Sequence, residues 1–310
     1  MFLQKSEQTA FSEKLRGIIT DPARLLQNEP MARHTTFRIG GPADWLVLPV
    51  SVDEIIAVLG AAKSAGVTVT VLGRGSNVLV ADKGIRGLVL RLGKHMSRLR
   101  HEGNVIFAGA GASLGDVSRY ASSLNLAGLE FAIGIPGTIG GAVFMNAGAY
   151  EGEMRQVVSA VTALCPNGGL ARYCGAELDF SYRHSVFADN HCLICEVELE
   201  LIDGEATAIK AKMDECTLRR NSKQPVELPS AGSVFKRPPG YFAGTLIEQT
   251  GLKGLRVGGA QVSEKHAGFI VNIGGATAGD VLALIGEVQR RVYEKFSVRL
   301  EPEIRLIGES

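Results

Sequence analysis

Three side chains in this sequence, Arg183, Ser233 and Glu303, are of types that could do acid–base or electrostatic chemistry, each against a plainer structural reading. Arg183 stands in Phe180-Ser181-Tyr182-Arg183-His184-Ser185, between two expected strands. Such an arginine is by default a solvated loop charge; its functional reading is a permanent cation aimed at a carboxylate. Ser233 stands in Ala231-Gly232-Ser233-Val234-Phe235-Lys236, after a glycine that permits close backbone approach. No G-x-S-x-G elbow surrounds it, which argues against a hydrolase nucleophile. A serine here could instead donate a proton, with nearby cations easing the charge left on its oxygen. Glu303 is expected in the final strand, where an exposed carboxylate is the plain reading.

Two glycine clusters are the elements best suited to hold a cofactor for such chemistry. Between Glu130 and Glu151 run 20 uncharged residues, FAIGIPGTIGGAVFMNAGAY. Five glycines, Pro136, Thr138 and Asn146 leave too little continuous apolar surface for a membrane helix. Glycine amides at a turn opening a helix suit an anion, so the segment reads as a loop and helix start against a phosphate-bearing, largely apolar ligand. The second cluster, Gly73-Arg74-Gly75-Ser76-Asn77, lies between the expected strands Thr68–Leu72 and Val78–Val80. A strand after the loop excludes the dinucleotide fingerprint, and no P-loop motif occurs. Either loop alone reads as a tight turn; two in one domain point to a cofactor.

The 310 residues suggest about two domains. A net charge of +1, from 33 basic and 32 acidic residues, offers no stripe for nucleic acid or membrane. The N-terminus lacks an apolar run of signal-peptide length, so a cytoplasmic location is expected. Five cysteines are too sparse for a disulfide scaffold. Cys192 and Cys195 lie three apart on an expected strand, so their sulfurs should diverge; core cysteines, and no metal site, are expected. Helices are expected over Val52–Ala65 with Ser51 as N-cap, from Ser113 to Leu124, over Glu205–Arg220, and from the Thr277-x-x-Asp280 capping box to Phe296. Strands are expected at Trp45–Pro49, Leu88–Leu90, Val105–Ala108, Val157–Cys165 and Cys192–Leu201. Short strands with few helices make the fold class α+β, with a boundary near Gly204.

Six segments, in order, carry a resemblance: Gly73 to Asn77; Gly134-Ile135-Pro136-Gly137-Thr138-Ile139-Gly140-Gly141; Asn146-Ala147-Gly148-Ala149-Tyr150; Tyr182-Arg183; Gly232 to Lys236; and Leu300-Glu301-Pro302-Glu303. Together they resemble the UDP-N-acetylenolpyruvoylglucosamine reductases, flavoenzymes of bacterial peptidoglycan precursor synthesis, over about Thr36 to Gly308. The resemblance implies a leader at 1–36 and an FAD domain of the p-cresol methylhydroxylase/vanillyl-alcohol oxidase type at 37–203, in subdomains of about 37–98 and 99–203. A smaller α+β substrate domain follows at 204–303, and the final strand at 304–310 is free to return to the first subdomain. It implies NADPH as reductant and hydride transfer through flavin N5 to the enolpyruvyl vinyl carbon. Arg183 and Glu303 match the pair that stabilises developing charge, and Ser233 the proton donor. Gly73, Arg74, Gly75, Ser76, Asn77, Pro136, Gly137, Thr138, Gly140, Gly141 and Asn146 would hold FAD. Tyr182, Arg220, Lys223, Lys236, Lys253, Gln261 and Asn272 would meet the nucleotide sugar.

Some members of the family insert a loop after the Tyr-Arg motif that folds a tyrosine over the substrate. Only 36 residues separate Arg183 from Arg220, too few for it, so the chain resembles the shorter type. Tyr150 and Tyr241 are the remaining candidates to shield the substrate. No histidine lies in residues 72–80, so non-covalent FAD is expected. The partner is a small nucleotide sugar, with no obligatory protein partner evident. The competing readings are an FAD oxidase of a small alcohol or hydroxy acid, and a non-catalytic nucleotide-sugar binder.

Overall fold

The computed structural model describes residues 4–309; the first three residues of the expected leader and Ser310 of the expected final segment lie outside the described residues. The chain forms two compact units, neither of them one stretch of sequence. The first comprises Met1–Leu26, Leu46–Arg74 and Leu88–Arg219; the second comprises Gln27–Trp45, Gly75–Gly87 and Arg220–Ser310.

In the first unit, the Val52–Ser64 helix starts as its sequence dictates. The Ser51 side chain accepts the Glu54 N–H at 3.2 Å, and Asp53 and Glu54 complement the positive end of the helix. Its apolar face buries Ile55, Val58, Ala61 and Ala62. The leader contains a helix of its own, Lys5–Ile18, which buries Phe11 and Leu15 and packs on that helix. Ser113 takes the N-cap position of the Leu114–Ser123 helix, but its side chain accepts no helix amide, a correction to the expected cap. Val69–Leu72 pairs in parallel with residues 88–91, in a register that sets Leu72 opposite Arg91. A five-stranded antiparallel sheet runs in the order Leu170–Cys174, Val158–Leu164, Leu193–Glu200, Val105–Gly109, Leu99–Glu102.

The second unit is built on a four-stranded antiparallel sheet, ordered Ser230–Ser233, Phe269–Asn272, Ala260–Val262, Arg256–Val257. The Ala278–Phe296 helix covers it with Val281, Leu284, Ile285, Val288 and Val292, all buried at the expected spacing. Its capping box is present: Thr277 and Asp280 exchange side-chain-to-backbone bonds at 3.0 Å each. The last strand, Arg305–Ile307, pairs in parallel with Val78–Val80. That pairing, and burial of Phe37 and Leu79 in the same core as Val234, explains why early segments of the chain lie in this unit. Asp82 strengthens the tie by accepting the Ala278 and Gly279 amides at 2.7 and 3.0 Å. Among the described residues, no helix is long and apolar enough to cross a membrane.

Candidate active site

The glycine segment of the first unit forms a short helix, Ile139–Phe144, capped by Thr138, whose hydroxyl accepts the Gly141 N–H at 3.3 Å. The amides expected to face a ligand are largely spent within the protein. Ile139 N–H goes to the Ala112 carbonyl at 2.8 Å and Gly140 N–H to the Ala110 carbonyl at 3.0 Å. This corrects the picture of an open amide cradle: the segment offers bare backbone surface, not a row of free donors. Gly140 is required by packing, since a Cβ there would stand 2.9 Å from the Ala110 Cβ, whereas a Cβ on the exposed Gly141 would meet only Thr138 Oγ1 at 3.5 Å. The two glycine clusters meet directly. A Cβ on Gly73 would come within 2.5 Å of Thr138 Oγ1.

Beside Gly73 stands a residue that sequence reasoning missed. Arg91, set opposite Leu72, has its pKa depressed by burial first and then by the charge of Arg74. Two guanidiniums repelling each other next to a side-chain-free glycine contact fit a bound diphosphate such as that of FAD, which would relieve the repulsion. The only sequence signal for Arg91 was a charge closing the apolar run Leu88-Val89-Leu90; strand register supplied the rest.

Arg183 occupies a two-residue hairpin closed by reciprocal bonds of Ser181 and His184, each 3.2 Å. Its φ of +59° lies in the left-handed region, uncommon for a side chain of this size and often met at functional positions. The guanidinium carbon lies 5.0 Å from the centroid of the Tyr182 ring, and Tyr182 is exposed. Asn146 anchors this hairpin. It is 1% exposed, and its amide donates to Glu153 Oε2 at 2.9 Å and to the Ser181 carbonyl at 3.0 Å, while its oxygen accepts the Arg155 N–H at 3.0 Å. With Ser185 Oγ donating to the Phe144 carbonyl at 2.9 Å, the glycine segment and the arginine hairpin are held as one piece. Asn146, expected to touch cofactor, has its polar atoms engaged inside the protein.

In the second unit, Ser233 ends the edge strand Ser230–Ser233. A register shift at Gly232, whose φ is +76°, turns the serine outward and leaves it exposed. Immediately after it, residues 234–236 run antiparallel to 301–303. Glu303 N–H donates to the Val234 carbonyl at 2.7 Å and Lys236 N–H to the Glu301 carbonyl at 2.9 Å. Glu303 therefore does not lie in the final strand, as expected, but in the stretch just before it. Asn77 completes the group, its side-chain amide donating to the Glu303 carbonyl at 3.3 Å.

The expected substrate contacts divide. Lys236 pairs with Glu301 at 3.3 Å and Lys253 with Glu248 at 2.6 Å, both partly exposed pairs that contribute little to stability and can be exchanged for phosphate. Arg220 and Lys223 close the Ala206–Lys223 helix. Gln261 is buried, its amide 3.5 Å from Glu264 Oε1. Asn272 is spent structurally: its amide donates to the Phe37 carbonyl at 3.2 Å, and its oxygen accepts the Gly274 and Ala276 amides. Tyr241 is exposed, and Tyr150 lies under the Arg219 guanidinium at 4.8 Å. No inserted loop follows Arg183; the interval holds the Leu193–Glu200 strand and most of the Ala206–Lys223 helix.

The signature of an FAD binding domain matches residues 43–173. The fold is α+β and the class is a flavin-dependent oxidoreductase with an FAD domain of the p-cresol methylhydroxylase/vanillyl-alcohol oxidase type. The signature of the UDP-N-acetylenolpyruvoylglucosamine reductase C-terminal domain matches residues 224–307. The reductase of that name from Geobacillus kaustophilus is 50% identical over 285 residues, spanning 92% of this chain and 93% of the relative. That from Clostridium perfringens is 48% identical over 295 residues, spanning 95% and 97%. The crystal structure of the enzyme from Thermus caldophilus aligns with a TM-score of 0.78 at 37% identity, covering 91% of this chain and 97% of that one. The chain belongs to the UDP-N-acetylenolpyruvoylglucosamine reductase family, which sets aside the small-alcohol oxidase and the plain binder.

Proposed function

We propose that this chain reduces the enolpyruvyl group of UDP-N-acetylglucosamine enolpyruvate to give UDP-N-acetylmuramate, with NADPH as reductant, in cytoplasmic peptidoglycan precursor synthesis. Non-covalent FAD supplies the hydride relay from NADPH to the terminal vinyl carbon. The loop 73–77 and the segment Pro136, Gly137, Thr138, Gly140 and Gly141 hold it, with Arg74 and Arg91 against the diphosphate. In functional terms, residues 37–203 serve the cofactor and 204–303 the substrate.

Hydride addition leaves charge on the carbon that bears the carboxylate. Arg183 binds that carboxylate with two hydrogen bonds and strengthens as charge builds, a contribution of roughly 3–4 kcal/mol in comparable sites. Glu303, protonated or sharing a proton through hydrogen bonds, stabilises the same developing charge. Ser233 delivers the proton to the carbanionic carbon, and Lys236, two residues beyond Val234, eases charge on its oxygen. Tyr182, Arg220, Lys223, Lys253 and Gln261 meet the nucleotide sugar, while Asn146 and Asn272 shape the backbone around it.

The observation that supports the reading is the antiparallel stretch in which Glu303 N–H meets the Val234 carbonyl, so that the chain at Glu303 runs alongside the residue that follows the exposed Ser233. The test is to reduce the purified flavoprotein anaerobically with NADPH and then add the enolpyruvyl nucleotide sugar. Flavin absorbance should return in one turnover; a flavin that stays reduced would exclude the assignment.

A further inference from the structure

The five-stranded sheet of the first unit holds a pair of thiols with no part in the reduction. Leu164 lies opposite Leu193 in the antiparallel ladder, and the same register carried one residue further sets Cys165 opposite Cys192. Directly opposed residues on antiparallel strands have Cα atoms about 4.5–5.5 Å apart, within the range of about 4.4–6.8 Å that a disulfide spans. The two sulfurs are 2.9 Å apart. Bond formation at about 2.05 Å thus asks for under about 1 Å of movement.

The surroundings separate this pair from the other cysteines. Tyr173, on the neighbouring strand, places its hydroxyl 3.4 Å from Cys165 Sγ and 3.3 Å from Cys192 Sγ. Hydrogen bonding to Cys165 first and Cys192 next raises the pKa of that phenol, so it stays protonated and able to donate to a thiolate. Cys165 is half-buried and Cys192 buried, so an oxidant meets Cys165 first. Burial pushes the Cys195 thiol up to about 11, and Cys195 lies against the Leu193 carbonyl, away from the pair. Cys174 is exposed and Cys216 buried; both are free thiols outside the Cys165–Cys192–Tyr173 group.

We propose that Cys165 and Cys192 form a reversible thiol–disulfide site, closed by hydrogen peroxide and reopened by a dithiol. The Cys165 thiolate attacks one peroxide oxygen and the O–O bond breaks. The hydroxide released takes up the proton that Cys165 gave up and leaves as water, and Cys165 becomes a sulfenic acid. Cys192 then attacks that sulfur, the S–O bond breaks, and the hydroxide leaves with the Cys192 proton as a second water. Two thiols lose two electrons and the peroxide gains them. Tyr173 donates to the attacking thiolate and keeps the two sulfurs together, so the sulfenic acid is captured before further oxidation.

The test uses the flavin-bound full chain, reduced, freed of reductant and treated with hydrogen peroxide near pH 8. Free thiols are then blocked, and intact mass and non-reduced peptides are read. The expected result is a loss of about 2 Da before blocking, from two hydrogens removed. A single cross-linked peptide pair should contain Cys165 and Cys192, and dithiothreitol should reverse it. Cys165→Ser and Cys192→Ser should each abolish the link, and Tyr173→Phe should slow it by about fivefold, the loss of one modest hydrogen bond. The wild-type experiment is decisive without the variants. Unchanged mass with all thiols still titratable would overturn the proposal. So would oxygen added at Cys165 without a cross-link, or a link that runs through the exposed Cys174.

Discussion

Asn77 and Glu303 are joined through the main chain: the Asn77 side-chain amide donates to the Glu303 carbonyl at 3.3 Å, and Arg305 N–H returns to the Asn77 carbonyl at 3.0 Å. A residue of the first glycine loop thus fixes the backbone that presents the acid. Asn77→Ala removes one bond worth about 1 kcal/mol, or about fivefold in rate if the loss falls on the transition state. Flavin content is measured first. Among molecules that retain flavin, NADPH reduction should proceed normally and oxidation by substrate should slow. If both half-reactions match wild type, Asn77 only closes the turn.

The two neighbouring glycines should part company. Gly140→Val drives a side chain into Ala110 and should lower thermal stability by several degrees, with flavin loss as a consequence. Gly141→Val meets little inside the protein and should keep its stability while losing flavin. Full flavin retention by Gly141→Val would remove that surface from the cofactor site.

Arg183 permits a cleaner test than alanine alone, because its left-handed φ is the conformation that glycine adopts without cost. Arg183→Gly should keep the hairpin and stability while slowing the second half-reaction by roughly 10²–10³-fold, as loss of one oxyanion donor does. Arg183→Ala should show the same kinetic loss with a further drop in stability. Equal slowing of both half-reactions in Arg183→Gly would point to a contact with NADPH.

Ser233→Ala should retain flavin, accept electrons from NADPH normally and lose about 10²–10⁴-fold in oxidation by substrate. Ser233→Cys keeps a proton at nearly the same place and should recover part of the rate. In heavy water the wild-type product should carry one solvent deuterium, in a single configuration, at the carbon bearing the carboxylate. An alanine variant with wild-type rate and stereochemistry would assign the proton to water or another group.

The Thr277–Asp280 capping box makes a stability prediction with a defined sign. The Thr277 and Gly259 amides hold the Asp280 carboxyl below its ordinary 3.8. A depressed carboxylate stabilises the fold above its unfolded pKa and loses that contribution as pH falls through the folded value. Urea midpoints of wild type and Asp280→Ala should differ most at neutral pH and converge as the pH falls through and below the depressed folded value. A constant difference across that range would mean that the effect is packing alone. Thr277→Ala should cost about 1 kcal/mol at neutral pH.

Local rules carried a good part of this protein. The Val52–Ser64 and Ala278–Phe296 helices follow from a serine cap, a capping box and apolar residues spaced three and four apart, and Val69–Leu72 follows from a β-branched run ahead of a glycine turn. The helix within the leader escaped because its apolar stripe, Phe11, Leu15 and Ile18, is narrow and set amid polar residues; packing on a second helix makes it stable. The order of the six family segments, and with it the chemistry, was legible because residue types and their spacing are one-dimensional. Contacts between distant segments were not. Sequence could not show that Arg91 stands beside the first glycine loop, that Asn146 and Asn272 spend their amides on backbone carbonyls, or that the Gly140 amide is already bonded to Ala110. Each depends on strand register or on burial, which fix the partner of a polar group only once the chain has folded. The same holds for Cys165 and Cys192, 27 positions apart in sequence, whose sulfurs are brought to 2.9 Å by one antiparallel register.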